Sequence, residues 1–496
     1  MAETSTESQA SPGGETVEVS EFASLLQREF KPKTDKAKEA VEEAVKTLAV
    51  QALAGTHLVS NDVLSTVGAL IAQIDKKLTE QIHQILHNEE FQALESAWRG
   101  LHYLVNNTET DEMLKIRVFN VSKNELGKTL KKYKGTAWDQ SPVFKKIYEE
   151  EYGQFGGEPF GALVADYYFD NSAPDVELLS SMAKIAAAAH APFISAADPS
   201  VMLMDSWQEL ANPRDLTKIF QTPEHAAWRS FRDSDDARYV GLTMPRFLSR
   251  APYGANTNPV EEFDFEEETS GDPKNYTWSN AAYAMAVNIN RSFKNYGWCS
   301  QIRGIESGGA IEGLPVHAFP SDDGGVDMTC PTEIAISDRR EAELAKNGFM
   351  PLIHKKNTDF AAFIGAQSLQ RPAEYEDADA TANANLAARL PYLFATCRFA
   401  HYLKCIVRDK IGSFKERGDM EIWLNNWIGQ YVENNPATAT EADKARKPLA
   451  GAEVVVEEVE GNPGYYGAKF FLRPHYQLEG LTVSLRLVSK LPSAKK

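Results

Sequence analysis

The sequence predicts a mixed α/β protein with a helical N-terminal region, a βαβ-containing core and antiparallel strands at the C-terminus. Three observations carry this. Gly161–Phe169 and Ala191–Ala197 are continuous apolar runs flanking a helix-period stretch, the pattern of strands covered on both faces and joined by a crossover. Apolar stripes at helical spacing dominate residues 34 to 105. Past residue 449 the apolar period drops to two.

At 496 residues the chain has ample core for two or three domains without staples. Composition and period divide it into a disordered tail and arm (1–28), a helical region (29–110), an α/β core (111–432), a linker (433–448) and a C-terminal strand segment (449–496). The formal charge of −18 excludes a nucleic-acid binder, which needs a basic footprint to displace counterions. Cys299, Cys330, Cys397 and Cys405 show neither a CxxC pair nor a bridging pattern, so reduced core thiols in the cytoplasm are expected. No apolar signal region opens the chain and no run of ~18 apolar residues exists to insert in a membrane.

In chain order, residues 1 to 17 are rich in Ser, Thr and Glu with little to bury. Thr16–Leu26, with Val17 and Val19, reads as a short strand or arm. A helix from Thr34 carries Ala37, Val41, Ala44, Val45, Leu48 and Ala52 on one stripe and stops at Gly55. A second, from Asn61, carries Val67, Leu70, Ile71, Ile74, Leu78, Ile82 and Ile85; a third presents Phe91, Leu94, Trp98, Leu101 and Val105.

Leu114–Val121 reads as a strand, and Ser122-Lys-Asn-Glu125 as a capping box opening a helix. In the βαβ unit Asn171 and Ser172 cap, Pro174 enters the first turn, and Val176, Leu179, Met182, Ala183 and Ala186 form the buried face. Crossovers of this length join parallel strands. A helical stretch (212–236), a strand (239–244), an acidic loop (245–275) and a helix (276–296) follow. Glu333–Ile336, Phe349–Ile353 and Phe360–Ala366 read as strands, with a helix at 338–347. A long helix from 383 to 410 is kinked or restarted by Pro391, and another spans 420–432. Beyond the linker, 452–459 and 465–472 flank a Gly461-Asn-Pro-Gly464 turn as a hairpin, and Leu481, Val483, Leu485 and Leu487 alternate in a final strand. Such strands either dock on their own domain or offer an edge to another chain.

Four motifs invite chemistry and fall short of it. Gly127-Lys128-Thr129 lacks the earlier glycine of a phosphate loop, Ser122 standing in its place. His83 and His87 have metal-ligand spacing, but Gln84 replaces the glutamate a zinc peptidase needs. Gly153-Gln-Phe-Gly-Gly157 precedes its strand instead of following one, which suits a turn. Gly304-Ile-Glu-Ser-Gly-Gly309 has Glu306 where a nucleophile elbow puts serine, which leaves a hydrolase using Ser307 as the enzymatic alternative. Arg229, Arg232, Asp235, Asp236 and Arg238 cluster around Trp228 and Phe231, a mixture that serves a solvated helix face or a contact surface. No catalytic, cofactor or metal residue is assigned.

Several long strings bring a resemblance. Residues 75–105, Glu151–Gly157, His190–Phe193, Trp228–Leu242, Ser337–Glu341 and Arg398–Lys404 resemble the large contractile-sheath subunit of bacterial type VI secretion systems, the TssC/VipB family. The likeness runs from about residue 60 to the C-terminus and is weakest in 1–15, 255–275 and 437–447. It implies a non-enzymatic protein with a contractile-sheath core and no cofactor. Its implied partners are a small sheath subunit (TssB/VipA type) packing with the helical region, further copies in a helical tube, an inner-tube protein and baseplate components. An AAA+ ATPase would disassemble the contracted sheath mainly through the small subunit. The resemblance further implies strand exchange between subunits through Val17, Val19, Val454, Val456, Phe470, Leu472, Leu481, Val483, Leu485 and Leu487. It turns the Arg229, Arg232, Asp235 and Asp236 cluster into an inner-tube contact.

Overall fold

The computed structural model describes residues 36, 43, 63–212, 214–269, 272–320, 325–410, 416–458 and 466–477. The expected N-terminal arm with Val17 and Val19, most of the first helix, the Gly461–Gly464 turn and the Leu481–Leu487 strand lie outside them. Two compact units are formed, Met1–Phe91 with Pro252–Asn275, and Gln92–Ala251 with Tyr276–Lys496.

In the first unit, α1 (Val63–Leu86) is the described element. Its His83 ring Nε2 contacts the Glu266 carbonyl at 3.0 Å, and Phe265 packs tilted on the same ring. The helix α2 (Glu89–Asn106) begins at the end of this unit and continues into the second.

The second unit is built on a six-stranded mixed sheet. Its strands are β1 (Leu163–Phe169), β2 (Phe193–Ala197), β3 (Val240–Met244), β6 (Ala310–Ile311), β9 (Phe349–His354) and β10 (Ala361–Phe363), in the order β1-β2-β3-β9-β10-β6. The first three pairings are parallel and the last two antiparallel. Shorter pairs join β4 (Phe247–Leu248) to β5 (Trp278–Ser279) and β7 (Ala318–Pro320) to β8 (Val326–Met328).

Alternation across β2 and β9 sends Phe193 and Phe349 into one core and Ile194 and Met350 into the other, so the sheet is covered on both faces. The crossover helix α4 (Ala173–Ala189), with Pro174 in its first turn, buries Val176, Leu179, Met182, Ala183 and Ala186 in the first core. The first core also takes Leu344 of α7 (Asp338–Lys346), and the second takes α6 (Ala281–Tyr296) and the start of α9 (Leu390–Lys410). Pro391 falls in the first turn of α9, where its missing N–H costs nothing, so the long helical pattern starts afresh there after α8 (Ala378–Ala387).

Ser122 caps α3 (Lys123–Lys131): its hydroxyl accepts from the Glu125 N–H, and the Glu125 carboxylate accepts from the Ser122 N–H. Ser122→Ala should cost about 1 kcal/mol in a denaturant titration.

Several expected elements take another form. Leu114–Val121 joins no ladder among the described residues; side chains pin it instead, with Lys115 and Arg117 on Glu158 and the Tyr167 hydroxyl on the Val121 carbonyl. Glu333–Ile336 is not a strand; Glu333 is held by a bidentate ion pair to Arg246 at 2.7 and 2.9 Å. The helix expected over 212–236 breaks into short turns around α5 (Ala226–Arg232), its prolines and caps restarting the chain. The loop at 245–275 contains β4, and β5 precedes the helix that follows. The linker at 433–448 holds α11 (Glu441–Arg446), which has its own capping box at Thr440 and buries Ala445.

A buried imidazole joins α4 to α9. His401 Nε2 donates to the Ala189 carbonyl at 2.8 Å, Nδ1 has no partner, and burial pushes its pKa down to about 4. Its charged neighbours Arg398 and Lys404 are cationic, and the nearby His190 is likewise depressed by burial. The unfolded chain therefore binds the proton more readily: stability is complete above about pH 6.5 and is lost as pH falls toward 4. Melting temperature should drop across that window, and His401→Gln should flatten the slope.

Candidate assembly surfaces

The C-terminal strands β11 (Leu449–Glu458) and β12 (Tyr466–Pro474) form an antiparallel hairpin with nine paired positions, longer at its open end than the expected 452–459 and 465–472. It stands on a third core of its own. Trp298 stacks on Phe399 with centroids 4.3 Å apart, and Tyr431 meets both rings edge-on. From α10 (Arg417–Gly429), Leu424 and Ile428 complete the platform.

Four of the expected strand-exchange residues are visible here. Val454 and Val456 are 1% and 2% exposed, and Phe470 and Leu472 are partly buried against the same cluster. Their side chains thus anchor the hairpin to its own body. The opposite face shows Glu453, Lys469, Phe471 and Arg473 to solvent. Any pairing with another chain must use main-chain groups at an edge.

Past β12 the chain is held at Gln477. Its N–H donates to the Tyr392 hydroxyl at 3.0 Å, its side-chain amide nitrogen Nε2 donates to the Ser300 carbonyl at 2.9 Å, and its Oε1 accepts from Arg303 Nε at 2.7 Å.

The Arg229 cluster divides. Trp228 and Phe231 are core residues, Trp228 stacking on Phe349. Arg232 is buried, its Nε donating to the Leu369 carbonyl at 2.8 Å, and burial lowers its pKa to about 10. Arg229 is half-buried and donates to the carbonyls of Phe220 and Thr222. Arg232 therefore cannot face a partner, a correction that the i, i+4 position of a buried Trp on the same short helix could have signalled. Asp235 is open, with an 88% exposed side chain paired to Arg238; Asp236 is half-buried. Asp233, on Arg371, is open too.

The remaining motifs are structural. Gly127-Lys128-Thr129 lies inside α3. His83 and His87 stack, His87 facing Glu267 at 3.7 Å, and no group of potential metal ligands occurs among the described residues. Around Ser307, Gly308 has φ +88° and a Cβ there would meet the Gln301 carbonyl at 2.3 Å; a Cβ on Gly309 would meet the Phe363 carbonyl at 2.4 Å. These glycines serve close backbone packing, clamped by Arg291 on the carbonyls of Gly308 and Ala310. His317 contacts the Tyr276 hydroxyl at 2.9 Å.

Sequence reasoning missed the aromatic platform, whose members come from three separate segments. It also missed Asn425 on α10, which has no periodic signature.

Comparison with known proteins agrees with an assembly role. Residues 68–370 match the family model "EvpB/VC_A0108, tail sheath N-terminal domain", and residues 379–491 match "EvpB/VC_A0108, tail sheath gpW/gp25-like domain". The chain is 75% identical to the type VI secretion system sheath protein TssC1 of Pseudomonas aeruginosa, over the whole of both chains. Among solved structures, a chain of the anti-feeding prophage baseplate is similar at TM-score 0.36 and 10% identity, covering 64% of this chain and 67% of that one. The contracted helical sheath of the same prophage is similar at TM-score 0.31 and 11% identity, covering 64% and 75%.

Proposed function

The chain belongs to the EvpB/VC_A0108 tail-sheath family and is a structural type VI secretion sheath subunit; from that premise we propose that it pairs with a small sheath subunit of the TssB/VipA type. The heterodimers polymerise in the cytoplasm into a helical tube around an inner tube, seated on baseplate components. Contraction drives the inner tube outward, and an AAA+ ATPase recycles the sheath mainly through the small subunit. No helix among the described residues is long and apolar enough to cross a membrane. The role calls for no catalysis by this chain and no cofactor.

Neighbouring subunits are tied by strand sharing: the C-terminal strand segment, with Leu481, Val483, Leu485 and Leu487, meets the Val17 and Val19 arm of another copy and a strand of the small subunit. The observation that supports this is the long C-terminal hairpin on its own aromatic platform. Main-chain pairing gives affinity while the bodies it links rearrange. Electron microscopy after co-expression with the small subunit tests it: hollow helical tubes are expected, and a monomer that ignores the partner would overturn it.

The inner-tube contact, in this reading, is carried by the acidic end of the Arg229 cluster, Asp233, Asp235 and Asp236, with Arg229 and Arg232 shaping it from within. Asp233→Lys with Asp235→Lys should leave heterodimers and tubes intact and stop secretion. Unchanged secretion would count against the contact.

A further inference from the structure

The hairpin has two long edges, and one of them is already occupied. Asn425 of α10 lays its amide along β11: Oδ1 accepts from the Val454 N–H at 3.0 Å and Nδ2 donates to the Val454 carbonyl at 2.8 Å. One helical turn earlier, the Glu421 carboxylate accepts from the Val456 N–H at 2.9 Å. Asn425 offers Val454 the donor and acceptor that a peptide of a third strand would offer. Near the strand's start, Leu449 exchanges main-chain bonds with Tyr431 and Glu433. A new strand cannot pair along β11 without displacing these groups.

The other edge is open. Val454 stands opposite Phe470, and Val456 opposite Ala468. Because Val454 and Val456 turn their peptide groups toward α10, these are the non-hydrogen-bonded pairs of the ladder. The peptide groups of Phe470 and Ala468 therefore point away from β11, as does Leu472 by the same alternation. Within the described residues, nothing bonds the main-chain groups of Ala468, Phe470 or Leu472. Phe470 and Leu472 extend the apolar face of β12, while Lys469 and Arg473 lie on its outer face.

We propose that Asn425 and Glu421 act as an edge guard, so that the hairpin accepts a foreign strand along β12 alone, and that Thr16–Ser24 of a second copy is that strand. In that stretch Val17 and Val19 suit the apolar face, and Glu18 falls on the side of Lys469 and Arg473. The Leu481–Leu487 strand would set Arg486 there instead, like charge beside like. The inference rests on the strand-sharing reading and adds the edge at which sharing occurs. A single entry edge matters in a polymer, because a hairpin open on both sides has two ways to take its neighbour.

The test is disulfide cross-linking of the full chain co-expressed with its small subunit. Glu18→Cys is combined either with Lys469→Cys or Phe471→Cys on β12, or with Glu453→Cys or Glu457→Cys on β11. Disulfides between copies are expected at the β12 positions, with the β11 positions at background. In Asn425→Ala with Glu421→Ala, the β11 signal should rise about tenfold. Cross-links at β11 in the unmodified background would overturn the guard while leaving strand sharing intact, as would a β11 signal that stays at background in the folded double variant. Absence of cross-links at both edges in tubes that still form would overturn the guard and leave the strand-sharing reading to the Leu481–Leu487 stretch. The unmodified background decides the edge even where the double variant fails to fold.

Discussion

Deleting Leu481–Lys496 is expected to leave a folded chain that still binds the small sheath subunit and to abolish long tubes. The deletion begins beyond Gln477, whose three hydrogen bonds to Tyr392, Ser300 and Arg303 hold the end of the hairpin segment against the body. The nine-pair ladder and its aromatic platform are likewise untouched. What is removed is a run of alternating Leu and Val, the kind of segment whose pairing links one subunit to the next. Co-purification with the small subunit and electron microscopy of the product check the two halves of this expectation. Normal tubes from the truncated chain would sink it.

Trp298→Ala should be the most damaging single change to the hairpin's platform. Trp298 is 4% exposed and contacts Phe399, Tyr402 and Tyr431. Replacing a buried aromatic by alanine costs about 3–5 kcal/mol, because the lost transfer energy is joined by a cavity that rigid rings cannot fill. The damage should be local first. Limited proteolysis should cut β11 and β12 before the six-stranded sheet, and tube yield should fall with hairpin protection. Ile422→Ala, on the same helix as Asn425 but 64% exposed, should stay within about 0.5 kcal/mol in denaturant titrations.

The central strands were readable from the chain because they are covered on both faces: Phe193–Ala197 and Val240–Met244 are buried throughout, so apolar runs map directly onto strands, while β1 at the sheet edge is only partly buried. The capping box at Ser122 was equally plain, since the motif and its hydrogen bonds involve only neighbours. Leu114–Val121 shows the limit. Its pattern suits a strand, yet a strand needs a partner, and here Glu158 and Tyr167 take that place through side chains. The contact cluster was half legible. Its mixed charge was visible, but which arginine turns inward depends on where Leu369 and Thr222 come to lie, far or near along the chain. Asn425 left no trace in periodicity, because a polar residue that closes a strand edge looks like any polar residue on a half-buried helix.

The hairpin's geometry also gives it a mechanical direction. Ladder hydrogen bonds run across the strands, so a pull along the strand axis loads many of them in shear at once. A pull at right angles would open them one after another, as a zipper opens. A joint built on this ladder resists sliding far better than peeling. Its strength in a moving assembly therefore depends on whether the linked bodies draw apart along β12 or swing away from it.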